Sequence, residues 1–272
     1  MNTQEMMRIA LDLAGIDKIP ADSVIQVEGE DIKKVLAGID MGTAEVAVAH
    51  GLGYDCVARH HPQDLVMANV GQMEYDAHFE RMVEFGVSPT TAQKLLEGKD
   101  AKTFKATHSI NYAATGQMAR LLNIASLSIH TPADLIVQRD VQNQLDALLD
   151  ERPDAVLKDV VDSLMEIREY NSTPQHPYIA VGNDDSFAGK IMVDMAGGSA
   201  ASLEEYKAYL DAGVNTFVVM HMKPEVVDEL AKDSRCNAVI AGHYASDSYG
   251  FNRILDAWEA AGLEISRIGG IV

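Results

Sequence analysis

Short apolar runs alternate with longer amphipathic stretches along this chain, which predicts strands interleaved with helices. The runs short enough for buried strands cover residues 34–41, 54–59, 125–129, 190–195, 215–220, 237–241 and 264–272. Apolar residues have helical spacing over 1–16, 72–85, 89–97, 115–123, 140–149, 157–170, 203–212, 224–232 and 251–261. Because strands that alternate with helices form βαβ units, we expect an α/β fold with mainly parallel sheets.

Two local signals mark how the chain is organised. Residues 171–185 are rich in proline, asparagine and aspartate, so they are the predicted connection between two lobes, at about 1–170 and 186–272. Ser202 and Glu205 have the spacing of a capping box, which predicts a helix that begins directly after Ser202.

The two halves of the chain repeat one order of motifs. General similarity between βαβ units is one explanation of the repeat. We favour a second one, two related lobes whose strand ends face each other, because ligand sites of open α/β sheets lie at the carboxyl ends of strands. The first half has Asp40 at a strand end, then the segment 53–61, then the pair His130–Asp134. The second half has Asp194 at a strand end, then the segment 213–221, then the pair His243–Asp247.

Charge and composition narrow the classes of partner. The 272 residues include 22 Lys and Arg against 41 Asp and Glu, a formal net charge of −19. Nucleic acids and anionic membranes would be repelled, so neither is an expected partner. No apolar run approaches the roughly 18 residues of a membrane span, and the N-terminus lacks the apolar core of a signal peptide. The 2 cysteines have no metal-binding spacing, and a reducing, cytoplasmic setting is expected.

The strongest local signal for chemistry is the sequence from Arg59 to Pro62. His60 and His61 follow an apolar run, and Pro62 ends strand pairing directly after them. Adjacent side chains of a regular strand point to opposite faces, but a chain that turns at the strand end can direct both imidazoles into one cleft. Neutral imidazoles are typical ligands of divalent transition metals, so this doublet predicts metal binding.

A second signal runs from Gly242 to Asp247. His243 and Asp247 are four residues apart, so on a helix both lie on one face and can bind the same ion. The alternative is that Ser246 or Asp247 only caps that helix. His130 and Asp134 repeat the spacing, with a proline suited to a first helical turn between them.

These residues together predict a centre with two metal ions. Mixed imidazole and carboxylate ligands without thiols suit zinc, manganese or iron. Two-metal hydrolytic sites hold their ions about 3.5–4 Å apart and use a metal-activated water as nucleophile. The candidate ligands are His60, His61, His130, Asp134, His243 and Asp247.

Other motifs add little. Gly197, Gly198 and Ser199 precede the capped helix and offer backbone N–H groups to a phosphate, although a plain βα turn is the interpretation we prefer. The chain has no P-loop, no G-x-G-x-x-G fingerprint and no G-x-S-x-G elbow. These absences count against nucleoside triphosphatases, dinucleotide-dependent oxidoreductases and α/β-hydrolases.

The order of these motifs resembles that of the NIF-three-like family. The resemblance rests on residues 22–29, the strand through Asp40, His60-His61-Pro62, the His130–Asp134 pair and Gly242-His243-Tyr244-Ala245, and it extends from about residue 20 to 260. It implies one domain over 1–272 with two α/β lobes, a dinuclear metal site between them and a homo-oligomeric ring, commonly a hexamer. The ligands it implies are His60, His61, Asp134 and His243, with His130 close by.

Two positions depart from the family pattern. The family usually has a glutamate, often bridging both ions, where this chain has the shorter Asp247. His221 lies near a position where the family often has a Thr-Gly-acid turn, so it is either an extra ligand or a residue that supports one.

An activity often given to this family is that of a type 2 GTP cyclohydrolase I. The expected function is therefore metal-dependent hydrolysis of a small nucleotide-like or phosphorylated compound. The alternative is a non-enzymatic metal-binding or protein-interaction module, because the sequence offers no recognisable substrate-binding motif.

Overall fold

A computed structural model describes all residues of the chain, 1–272. Its strands form two sheets, and both are mainly parallel, which confirms the α/β fold class. The strands are β1 Val24–Val27, β2 Lys34–Gly38, β3 Cys56–Arg59, β4 Ala125–Ser128, β5 Tyr178–Val181, β6 Ile191–Asp194, β7 Thr216–Val219, β8 Asn237–Ile240 and β9 Glu264–Ile268.

The helices connect and cover these strands. They are α1 Thr3–Ala14, α2 Thr43–Gly51, α3 Val70–Glu84, α4 Pro89–Leu95, α5 Lys99–His108, α6 Ala114–Leu122, α7 Thr131–Glu151, α8 Leu157–Leu164, α9 Arg168–Ser172, α10 Leu203–Asp211, α11 Pro224–Leu230 and α12 His243–Ala260. A 3₁₀ turn covers Leu65–Ala68. No helix has the length and hydropathy that crossing a membrane requires.

Both sheets have the same topology. The first has the strand order β1-β4-β3-β2-β9, and the second has the order β5-β8-β7-β6. The second sheet therefore repeats the order of the first but has no counterpart of β9. The first strand of each, β1 or β5, pairs antiparallel with a neighbour and has a bulge, whereas the remaining strands are parallel. This shared order supports two related halves.

Strand register shows which residues of the two sheets are equivalent. Arg59 lies opposite Gly38 in the first sheet, and Val219 lies opposite Asp194 in the second. The 53–61 and 213–221 segments are therefore equivalent, as predicted. Asp194, however, is the counterpart of Gly38, so the predicted match between Asp40 and Asp194 is wrong.

The compact units are not consecutive halves of the chain. One unit contains residues 1–73, 99–136 and 247–271, and the other contains 74–98, 137–246 and 272. The chain passes between them inside α3, α7 and α12, and the late strand β9 pairs with β2 in the first sheet. The boundaries therefore differ from the expected 1–170 and 186–272, because continuous helices and a returning strand cannot be recognised from local composition.

The structure also corrects several local predictions. The predicted connection 171–185 contains β5, a short strand that pairs with β8. Helices α7 and α12 begin at Thr131 and His243, before the apolar spacing at 140 and 251 but where the two His-x-x-x-Asp pairs indicate helix faces. The segment 157–170 divides into two helices, and β1 and α5 were not predicted.

Separate apolar clusters stabilise the two units. In the first, Val57, Val46 and Ala119 bring β3, α2 and α6 together. In the second, Phe217 packs among tyrosines of α10. The predicted capping box is present, since Ser202 accepts from the Glu205 amide and Glu205 accepts from the Ser202 amide. Both cysteines are buried thiols without a disulfide.

Candidate metal centre

The ends of β3 and β4 deliver three histidines of the first unit to one place. The backbone amides of His60 and His61 donate to Gly38 and Ile39 O (3.0 and 3.1 Å), and the backbone bends at both residues directly after β3. His130 lies just beyond β4, where its amide donates to Ser23 Oγ (3.1 Å) before α7 begins. The imidazole centroids are 4.8 Å apart for His60–His130, 5.0 Å for His60–His61 and 5.7 Å for His61–His130. The doublet thus shares one site, as its sequence predicted.

Each of the three imidazoles is held through Nδ1. His60 Nδ1 lies 3.1 Å from the Ile129 carbonyl oxygen, and because a carbonyl can only accept, Nδ1 carries the proton. His61 Nδ1 lies 2.8 Å from Asp40 Oδ1, and His130 Nδ1 lies 2.7 Å from Asp22 Oδ2. Such outer contacts fix the ring and leave Nε2 for a metal ion.

The three Nε2 atoms face two buried carboxylates. Asp134 Oδ1 lies 3.4 Å from His60 Nε2, and its Oδ2 lies 3.7 Å from His130 Nε2. Asp247 Oδ1 lies 3.6 Å from His60 Nε2, and its Oδ2 lies 3.4 Å from His61 Nε2. Each carboxylate is therefore shared between two imidazoles.

These separations are those of ligands around an ion. They exceed the 2.7–3.2 Å typical of hydrogen bonds from nitrogen. Metal–ligand bonds of about 2.0–2.2 Å at a tetrahedral angle place two ligand atoms about 3.4 Å apart. His60, Asp134 and Asp247 offer one ligand atom each within 4.8 Å of one another, and so do the three imidazoles.

Burial makes the group unfavourable without a cation. His60 Nε2 and Asp134 Oδ1 are inaccessible to solvent and make no hydrogen bond. An unmatched buried polar group costs about 1–3 kcal/mol. Burial lowers the pKa of His60, which keeps its Nε2 lone pair available, while burial and nearby Asp247 raise the pKa of Asp134. Although burial opposes the charging of His130, Asp134 and Asp22 raise its pKa to about 9, so without a cation this ring is protonated at neutral pH and a metal ion would displace its Nε2 proton. The residues present therefore fit a divalent ion.

Close packing of two helices brings the carboxylates together. Asp134 lies in the first turn of α7, and Asp247 lies in the second turn of α12. A Cβ at Gly250 would lie 2.1 Å from the Ala133 carbonyl oxygen, so the backbones of the two helices meet at this glycine. Because α12 begins at His243, Asp247 is inside the helix and cannot be its N-cap, which removes the capping alternative for this residue.

His243 belongs to the second unit. It is the first residue of α12, is exposed, and precedes Asp247 by one turn on the same helix. Its ring meets that of His221 edge-on, with centroids 4.8 Å apart and an interplanar angle of 62°. Its assignment as a ligand rests on the helical spacing and stays a prediction.

Two supporting carboxylates escaped the sequence analysis. Asp22 is buried and accepts from Thr131 Oγ1 (2.7 Å) as well as from His130, whereas the Asp40 side chain is 79% exposed. Both lie far from their partners in sequence, so no spacing indicated these contacts. Asp22 is nevertheless the first residue of the segment that carried the family resemblance.

The candidate phosphate turn has a structural explanation. His78 Nε2 lies 3.0 Å from the Ser199 carbonyl oxygen, and His78 Nδ1 lies 2.6 Å from Glu205 Oε1. Gly197 and Gly198 have positive φ angles of 117° and 76°, which a tight turn requires. These contacts favour the plain βα turn.

Comparison with solved structures gives close and distant matches. A crystal structure of a NIF3 superfamily protein from Sphaerobacter thermophilus has 34% sequence identity and a TM-score of 0.94, with 99% of this chain and 98% of that chain covered. Reduced HcgD from Methanocaldococcus jannaschii has 16% identity and a TM-score of 0.58, covering 98% and 97%. A Bacillus cereus protein related to NIF3 has 11% identity and a TM-score of 0.54, covering 97% and 96%. The last two share the fold. No protein-family model and no curated protein matches the sequence.

Proposed function

The chain belongs to the NIF3 superfamily, and from that premise we propose that it binds two divalent metal ions and hydrolyses a small nucleotide-like or phosphorylated compound. The observation that carries the proposal is the set of three imidazole Nε2 atoms that face two buried carboxylates at 3.4–3.7 Å. Imidazole and carboxylate ligands suit zinc, manganese or iron.

The contacts suggest how the ligands divide between two ions. His60, His130 and Asp134 would hold one ion, and His61 and Asp247 the other. The two Asp247 oxygens face different imidazoles, at 3.6 Å from His60 Nε2 and 3.4 Å from His61 Nε2. This arrangement supports a bridging role for Asp247 in spite of its shorter side chain.

Bound divalent ions would supply a nucleophilic water at neutral pH and a positive charge for an anionic substrate. The protein residues then determine position and access. Asp22 and Asp40 fix the His130 and His61 rings. The side chains of His61 and His130 are 24% and 13% exposed, whereas that of His60 is fully buried, so substrate would approach from the side of His61 and His130.

Metal binding without turnover is the second candidate function. Every titratable side chain of the group contacts another member or an outer carboxylate, and none is left as a general base. This observation favours a metal-binding or protein-interaction role.

Elemental analysis together with substrate panels separates these functions. We expect about two ions per chain in protein purified without chelators and supplied with Zn²⁺, Mn²⁺ or Fe²⁺. The double variant His60→Ala, His61→Ala should lose them, and His50→Ala, an exposed histidine on α2, is the matched control. Phosphoester and cyclic amide turnover that disappears in the double variant supports the hydrolase. Metal binding without such turnover supports the second function, and no bound metal refutes both.

A further inference from the structure

A second imidazole pair lies at the carboxyl edge of the second sheet. His221 follows β7, and His243 begins α12 after β8. Their centroid separation of 4.8 Å equals that of His60–His130, and both side chains are exposed. The two rings therefore have a spacing that is also found within the buried group, in a place that solvent reaches.

Strand register makes His221 the counterpart of His61, whereas His243 stands one position beyond Gly242, the counterpart of His130. His221 stands two residues after Val219, as His61 stands two residues after Arg59, and Val219 and Arg59 are the last paired residues of equivalent strands. Met220 takes the place of His60. The second sheet therefore has a histidine at one of the two positions that His60 and His61 occupy in the first.

We propose that His221 and His243 form a capture site for a divalent transition-metal ion such as Zn²⁺, Ni²⁺ or Cu²⁺. Imidazoles prefer these ions to Mg²⁺ or Ca²⁺, which take oxygen ligands. Two exposed imidazoles hold an ion more weakly than a buried group with carboxylates, which suits capture and release.

His243 lies on the same helix as Asp247, α12. His243 and Asp247 are one turn apart on this helix, so their Cβ atoms are about 5–6 Å apart. An ion released by the pair therefore has a carboxylate of the buried group within one helical turn. This second step rests on the proposed function, whereas capture by the pair does not.

Capture is tested in a background that lacks the His60–His61 doublet. Titration calorimetry of the His60→Ala, His61→Ala variant with Zn²⁺ should show one weakly bound ion. Adding His221→Phe, which keeps an aromatic ring but removes both nitrogens, should weaken this binding at least about tenfold. His50→Phe is the control and should change nothing. Equal Zn²⁺ binding with and without His221→Phe would overturn the proposal.

Uptake kinetics test the same claim in the otherwise intact chain, in case the double variant fails to fold. Stopped-flow transfer of Zn²⁺ from a chromophoric chelator should be slower in His221→Phe, with an unchanged final number of ions. An unchanged rate, or a lower final number of ions, would contradict a capture role. If the pair binds Zn²⁺ but the intact chain holds no further ion, the proposed function fails and the capture site stands.

Discussion

The two sheets share one strand order but have different chemistry at their carboxyl edges. In the first, Asp134 and Asp247 lie buried among three imidazoles whose Nδ1 atoms are held by oxygens. In the second, His221 and His243 are exposed, and Met220 stands where the first sheet has His60. In both sheets, side chains converge at the edge where the parallel strands end. Only in the first sheet do buried carboxylates lie beside the imidazoles, in a group compatible with a metal ion.

Removal of the buried Asp134 carboxylate should have the largest effect on the stability that metal binding adds. Asp134→Asn removes a carboxylate that could bind a metal ion from a group that has unmatched buried atoms. Wild-type protein should gain about 2.7 kcal/mol of unfolding free energy when metal is present at a hundred times its dissociation constant, and the variant should gain almost none. Thermal melting with Zn²⁺ and with chelator measures the difference. An equal metal-induced shift in both proteins would show that Asp134 is not a ligand.

A change that pushes α7 and α12 apart should have the next largest effect on stability and metal binding. Gly250→Ala places a methyl group against the Ala133 carbonyl, so we expect a loss of about 1–3 kcal/mol in unfolding free energy and weaker metal binding. Gly51→Ala is the matched control, because a Cβ at this helical glycine has no neighbour within 4 Å. Urea denaturation compares the two. Similar stability and metal binding in both variants would contradict the close approach of the helices.

Loss of an outer carboxylate should have a smaller effect. Asp22→Ala frees the His130 ring, and losses of about 10–100-fold in metal affinity are typical of such changes. Asp40→Ala should cost less, because the Asp40 side chain is 79% exposed and water can replace it on His61. Competition with a chelator of known affinity gives both values. The reverse order would mean that burial does not set the strength of these contacts.

The smallest effect on metal binding is expected when a second histidine is placed beside His221, so that the second sheet also has two adjacent histidines. Met220→His creates adjacent histidines at the position equivalent to His60, but it brings no buried carboxylate. The number of tightly bound ions should therefore stay as in the wild type. Elemental analysis after dialysis against a weak chelator checks this, and an additional tightly bound ion would show that imidazoles alone suffice.

Local patterns predicted the parts of the fold and site that depend on neighbours in sequence. The apolar runs located seven of the strands, and the His-x-x-x-Asp spacing indicated helix faces that α7 and α12 do present. The strand β5 was hidden in a proline-rich segment, and β9 joined a sheet whose other strands lie far away in sequence. The contacts of Asp22 and Asp40 escaped for the same reason. The ring assembly stays a prediction.

Anomalous X-ray diffraction from crystals grown with Zn²⁺ would locate the bound ions themselves. Peaks at the zinc edge should lie among His60 Nε2, Asp134 and Asp247, with each bonded ligand atom about 2.0–2.2 Å from an ion. Data below the edge show whether such a peak is zinc. The absence of a zinc peak within bonding distance of His60 Nε2 at full zinc saturation would contradict the account.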